Sequence, residues 1–165
     1  MPKKRDITVK DVTRVMALSM KGDCRKVYKA VEKLAKETCG YTMFTILRVD
    51  EAKKQVVRVH TSNPKKYPVG GTKPIDPNSH NQKILDKNNV FVAPNKAEIK
   101  RAYFDYELIY SLGITAILNA PITANGRRLG TLALSGLQGM YGKKEVERSK
   151  VIAGLLVPAL MAEVD

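Results

Sequence analysis

The sequence predicts an α/β domain of the α+β kind, with a central antiparallel sheet of five or six strands and the terminal helices on one of its faces. Three observations predict it. Strand-like segments occur as two consecutive hairpins, amphipathic helical segments stand at both ends of the chain, and a long proline-rich stretch separates the hairpins. Hairpins force antiparallel pairing, and amphipathic helices need an apolar face to cover. The 165 residues fit one domain with a core of its own, read as residues 1–22 for an N-terminal helix and 23–165 for the main body.

Each element has a local cause. Thr8-Val-Lys-Asp11 has the form of a capping box. Val9, Val12, Val15, Met16 and Ser19 then share a stripe that Gly22 ends. Asp23 caps a second helix to Thr38, with Val27, Val31, Leu34 and Ala35 inward and Gly40 as its stop. From Tyr41 the period becomes that of a strand: Tyr41–Val49 and Gln55–Thr61 form a hairpin around a short polar loop. Ser62–Ser79 carries four prolines and Gly70-Gly71, and a loop of that length in a small domain is usually functional or disordered. Ser79 opens a short helix through Lys87, Val90–Ala93 is a short strand, and Phe104–Leu112 is a helix stopped by Gly113. Thr115–Thr123 and Arg127–Leu137 flank Asn125-Gly126, the strongest short hairpin signal. Lys143–Glu163 is a closing helix with Val146, Ile152, Leu155, Leu156, Ala159 and Leu160 inward, and Pro158 should kink it or mark a change of partner.

Composition narrows the function. The longest apolar stretch, Val151–Ala162, is too short for a bilayer and is broken by Gly154 and Pro158. The basic start is followed by Asp6 and Lys10 where a secretion signal needs an apolar run. Cys24 and Cys39 fall about four turns apart along one expected helix, which excludes a bridge within it. A reduced, cytoplasmic protein without membrane attachment is therefore expected. The net charge of +13 comes from 29 basic and 16 acidic residues, mostly lysines scattered in ones and twos. Nucleic acid is a disfavoured partner, because no arginine-rich block and no helix with interleaved aromatics is present. His60 and His80 have no cysteine or carboxylate at ligand spacing, so no metal site is expected, and no cofactor.

Leu112-Gly-Ile-Thr-Ala-Ile-Leu-Asn-Ala-Pro-Ile122, then Asn125-Gly126, then Leu129-Gly-Thr-Leu-Ala-Leu134, resembles the signature hairpin of GAF domains. Phe104–Ile109 is similar to the short helix that walls the GAF pocket, and the Thr61–Gly71 loop is similar to that of small stand-alone bacterial members. The likeness covers roughly Asp23 to the C-terminus. It implies a small-molecule pocket on the sheet face opposite the terminal helices, in a family that senses cyclic nucleotides, bilins, haem, metals, amino acids or other metabolites. Asp76–Leu118 has no cysteine for covalent bilin attachment. Asn95-Lys96 and Phe104-Asp105 match part of the cyclic-nucleotide pattern, without its Asp-Glu pair. The thiol chemistry of GAF-type free methionine sulfoxide reductases is disfavoured, since both cysteines fall on a helix assigned to the other face.

Strand alternation divides the candidates. Ala116, Leu118 and Ala120 suit a helix-packed face, and Thr115, Ile117 and Asn119 the other, joined by Thr131, Ala133 and Ser135. Asn119 either bonds loop backbone or contacts a ligand. Tyr103, Tyr106 and Tyr110, spaced along the expected helix, are core aromatics or a pocket wall, and Asp105 is exposed or meets a ligand amine. Asn63, Tyr67 and Lys73 belong to a loop that closes over an anionic group or is plain surface. The candidate ligand-binding set is Asn63, Tyr67, Lys73, Tyr103, Asp105, Tyr106, Asn119, Thr131 and Ser135. The expected function is a non-catalytic sensor for a small, anionic metabolite, working as a homodimer through its terminal helices. The alternatives are a small enzyme on the same fold and a ligandless dimerisation module.

Overall fold

The computed structural model describes residues 3–164; Met1, Pro2 and Asp165, at the two ends of the expected domain, lie outside them. Seven helices and six strands follow one another: α1 Val9–Met20, α2 Cys24–Thr38, β1 Met43–Asp50, β2 Gln55–Thr61, β3 Thr72–Pro74, α3 His80–Asp86, β4 Phe91–Ala93, α4 Lys96–Ala102, α5 Tyr106–Ser111, β5 Ala116–Ala124, β6 Arg127–Gly136, α6 Lys143–Leu155 and α7 Val157–Val164. The strands form one sheet in the order β3-β2-β1-β6-β5-β4, every neighbouring pair antiparallel.

Local chemistry explains the termini. Asp11 N donates to Thr8 Oγ1 (3.2 Å) while the Asp11 carboxylate accepts from Thr8 N (2.9 Å), the reciprocal box that starts α1. Arg5 grips the same carboxylate with two N–H groups (2.6 and 2.9 Å) and reaches Glu37 of α2, tying the N-terminal segment to two helices. Asn125 and Gly126 have φ of 52° and 72°, the left-handed pair of a type I′ turn, so the β5–β6 hairpin closes with the twist its strands need.

α1, α2, α6 and α7 cover one face. Phe44 and Ile46 of β1, Leu118, Ala120 and Ile122 of β5, and Leu132 and Leu134 of β6 are fully buried there against Val31 and Leu34 of α2, Ile152 of α6, Leu160 of α7 and Leu156 at their junction. Burying each such leucine or isoleucine stabilises the fold by about 1.5–3 kcal/mol. Gly130 lets this face pack closely, since a Cβ there would meet the Leu47 carbonyl at 2.1 Å.

The structure differs from expectation in four places. The long loop contains the short edge strand β3, which pairs with β2. A helix not foreseen, α4, is capped by Asn95, whose Oδ1 accepts from Glu98 N (3.0 Å). Tyr103 therefore follows α4 and is not on one helix with Tyr106 and Tyr110. At Pro158 the kink becomes a break: α6 ends at Leu155, and Pro158 sits in the first turn of α7, where its missing N–H is harmless. Finally, α1 is an outer helix packed on α2 and α6. Val15 is buried, but Val9 and Met16 of the same stripe are exposed.

Candidate functional site

On the sheet's other face a cavity of about 490 Å³ lies over β1, β2, β5 and β6, walled by the β2–α3 segment, α3 and the α4–α5 turn. Alternation places its floor. Met43, Thr45 and Leu47 of β1 point into it, as do Ile117 and Asn119 of β5 and Thr131, Ala133 and Ser135 of β6. Leu118, Leu132 and Leu134 between them point to the helices. The sequence assignment of the two faces of the hairpin agrees with this arrangement.

Eight of the nine candidates line the cavity: Tyr67, Lys73, Tyr103, Asp105, Tyr106, Asn119, Thr131 and Ser135. Asn63 does not. Its Oδ1 accepts from Lys66 N (3.3 Å) and its carbonyl from Tyr67 N (2.9 Å), so it shapes the turn that brings Tyr67 to the wall. Asn95 and Lys96 also lie outside the lining, with Asn95 spent on capping α4.

The lining residues hold one another. Lys73 donates to Asp105 Oδ2 (2.6 Å), and Tyr67 OH reaches the same oxygen (3.4 Å). Lys73 is thus a neutralised partner of Asp105 and not a free rim cation. Burial, followed by the Asp105 charge, pushes the Tyr67 phenol up to about 12. Asn119 Nδ2 donates to Tyr103 OH (2.5 Å), and burial raises the Tyr103 phenol as well. Among the described residues, Asn119 Oδ1 and Asp105 Oδ1 have no hydrogen-bond partner, nor has Asn81 Oδ1 of α3. Asp105 starts α5 without giving it a side-chain cap, which leaves its carboxylate for the cavity.

Arg58 is the residue that alternation alone misses. It is 5% exposed in mid-β2 and lines the cavity. The register places His60 opposite Ile46 but Arg58 opposite Leu47, so Val59 is an extra residue in β2. This bulge turns Arg58 from the helix side to the cavity side. Arg58 Nη1 donates to the Pro68 carbonyl (3.1 Å), its guanidinium lies 4.8 Å from the Tyr67 ring, and Nε has no partner. Desolvation lowers its proton affinity. Glycine at residue 71 lets the loop lie close over it, since a Cβ there would come 2.5 Å from Arg58 Nη1. The signal in the sequence was an arginine between valines in a strand.

Both cysteines lie in the helix layer. Cys24 Sγ is 3.6 Å from the Ala159 carbonyl, Cys39 is fully buried, and burial raises both thiols above their usual range. His60 pairs with Glu32 of α2 (2.5 Å), which also accepts from Tyr41 OH (3.0 Å), and His80 packs edge-on against Phe91. Among the described residues, no three His, Cys, Asp or Glu side chains gather as metal ligands, and no helix is long and apolar enough to cross a membrane.

No protein-family profile matches the chain, and no curated protein matches it in sequence. Solved structures do match in architecture. The GAF domain of a phosphoenolpyruvate-protein phosphotransferase from Coxiella burnetii is 17% identical at a TM-score of 0.73, over 94% of this chain and 93% of that one. A phycoerythrobilin-bound GAF domain of a cyanobacterial phytochrome is 14% identical at 0.72, over 96% of both. The free methionine-R-sulfoxide reductase of Neisseria meningitidis, in complex with its substrate, is 12% identical at 0.71, over 99% and 98%. The chain has the GAF fold.

Proposed function

We propose that the protein is a small-molecule-binding sensor or regulatory domain without catalytic activity of its own. The observation that carries this reading is the buried polar floor of the cavity: Arg58 and Asn119, 5% and 7% exposed, each leave an atom unpaired there. An unsatisfied buried polar group costs about 1–3 kcal/mol, and an unpaired charge more, so such groups persist where a ligand completes them. A ligandless module would fill this face with apolar side chains, as the helix face is filled.

The ligand is small and carries an anionic group. With Lys73 and Asp105 paired to each other, Arg58, Lys100 and Arg101 line the cavity against Asp76. The reductase and the bilin-bound domain that share the fold each hold a small molecule. A thiol-based reductase activity is disfavoured because Cys24 and Cys39 do not line the cavity. Two unpaired cysteines fit a reducing compartment such as the cytoplasm.

Occupancy is passed on through a homodimer. Met16 and Met20 of α1 line an apolar groove of about 400 Å³ with Leu155 and Pro158 at the α6–α7 junction, and Val9, Val151 and Met161 are further exposed apolar residues of the terminal helices. The spare apolar surface comes as much from α1 as from the final helices, where Leu156 and Leu160 are fully buried. Such a patch on helices suits a self-complementary contact.

Native mass spectrometry of the protein isolated from its own host tests the reading. A small added mass is expected on the wild type and absent from Asn119→Leu, with unchanged circular dichroism in both. Equal added mass on both proteins would remove Asn119 from the site, and bare protein in both would leave the ligandless reading.

A further inference from the structure

We propose that the two ends of the cavity read two different groups, so that the ligand is a small amino carboxylate whose acid meets Arg58 and whose amine meets Asn119. The proposal rests on the sensor reading above and names the class of ligand sensed.

The acid end is defined by how the Arg58 guanidinium is used. Nη1 is committed to the Pro68 carbonyl, and Asp105, the acid beside it, is committed through Oδ2 to Lys73 and Tyr67. What remains is the edge formed by Nε and Nη2, and Nε is without a partner. Two parallel N–H groups on one edge match the two oxygens of a carboxylate. The Tyr67 ring against the guanidinium plane holds that edge in place.

The opposite end presents acceptors instead. The Asn119 amide is oriented by Nδ2 donating to Tyr103 OH, which leaves Oδ1 unpaired, and Oδ1 of Asn81 is unpaired as well. An amine is the group with several N–H donors and no strong need to accept. A dicarboxylate would instead set oxygen against oxygen at this end.

The sheet register separates the ends. Arg58 lies opposite Leu47, which pairs with Thr131 and then Pro121, while Asn119 lies one row away through Ala133 and Thr45. Arg58 and Asn119 are three strand spacings and two residues apart, which is about 14 Å across and about 7 Å along the sheet at the backbone. The long Arg58 side chain shortens that gap. Between the ends lie Thr45, Thr131 and Ala133, small residues that leave room for a chain of a few carbons. The unpaired atoms are screened from water in this structure, so the side chains that cover them move aside when the ligand enters.

Calorimetric titration with γ-aminobutyrate, δ-aminovalerate and ε-aminocaproate, each beside the dicarboxylate and the diamine of equal length, tests this. At least one amino carboxylate is expected to bind about tenfold or more tightly than both of its partners, a difference of about 1.4 kcal/mol. Arg58→Gln should erase the preference for the acid, and Asn119→Leu the preference for the amine. Asn119→Asp, which keeps an acceptor at that position, should retain the amine preference and guards against a misfolded Leu variant. A dicarboxylate or diamine that binds as tightly as the amino carboxylate, or a series in which nothing binds, overturns the proposal. In that event a compound of another class on the natively isolated protein leaves the sensor reading standing, and bare protein ends both.

Discussion

The two faces of the one sheet are built from opposite materials. On the helix side, β1, β5 and β6 contribute Phe44, Ile46, Leu118, Ala120, Ile122, Leu132 and Leu134, every one fully buried and apolar. On the other side the same strands and β2 contribute Thr45, Arg58, Asn119, Thr131 and Ser135, buried but polar, with Met43 and Ile117 among them. Helices present continuous apolar stripes and pack to completion, whereas loops and short helices carry backbone polar groups and leave gaps. One face therefore holds the fold, and the other is free to hold a ligand.

Substitutions on the two faces should separate stability from binding. The largest loss belongs to the helix face: Leu132→Ala should lower unfolding free energy by about 2–5 kcal/mol in urea, with ligand affinity unchanged once folded protein is measured. A loss under about 1 kcal/mol would mean that the helix layer packs loosely. Next comes the cover of the cavity. Gly71→Ala should disturb the loop over Arg58, because the added methyl meets Nη1 at 2.5 Å and the Pro68 carbonyl at 3.2 Å. We expect about 1–3 kcal/mol of destabilisation, read as a lower melting temperature, together with weaker binding.

A smaller effect lies outside both faces. The Arg5 guanidinium holds the Asp11 carboxyl well below the usual carboxylate range. A depressed carboxylate contributes stability above its unfolded-state pKa of about 4 and loses it as pH falls through the folded value. Asp11→Ala should cost about 1–2 kcal/mol at neutral pH through the lost capping box. Its stability should converge on that of the wild type in acid titrations below about pH 4. A gap that stays constant down to low pH would mean that the charge of Asp11 contributes nothing.

The helix face was legible in the sequence because apolar residues repeat with the helix and strand periods, as Val27, Val31 and Leu34 do against Leu118 and Leu132. The hairpin face of the cavity was legible for the same reason: alternation alone assigns Asn119, Thr131 and Ser135. What periodicity does not encode was missed. The bulge at Val59 reverses the side of Arg58, and nothing in Gln55–Thr61 marks the extra residue. Lys73 read as a free cation because its partner Asp105 lies 32 residues away. The Tyr103–Tyr110 spacing suggested one helix, but Asn95 starts an earlier one that ends before Tyr103. In the first helix the stripe was read correctly but its environment was not, since α1 lies outside α2 and α6 and exposes Val9 and Met16.

The claim that the polar face is kept for a ligand and not for the fold is tested most directly at Arg58. Equilibrium denaturation of wild type and Arg58→Met, with and without the best-binding amino carboxylate, is the measurement. Without ligand, the methionine variant should equal or exceed the wild type in stability, by up to about 2 kcal/mol, because a buried unpaired cation is replaced by an apolar chain of similar size. With ligand at about 100 times its Kd, the wild type should gain about 2.7 kcal/mol and the variant almost nothing. An Arg58→Met protein that is less stable than the ligand-free wild type by more than about 1 kcal/mol, or that gains as much from the ligand, would contradict the account.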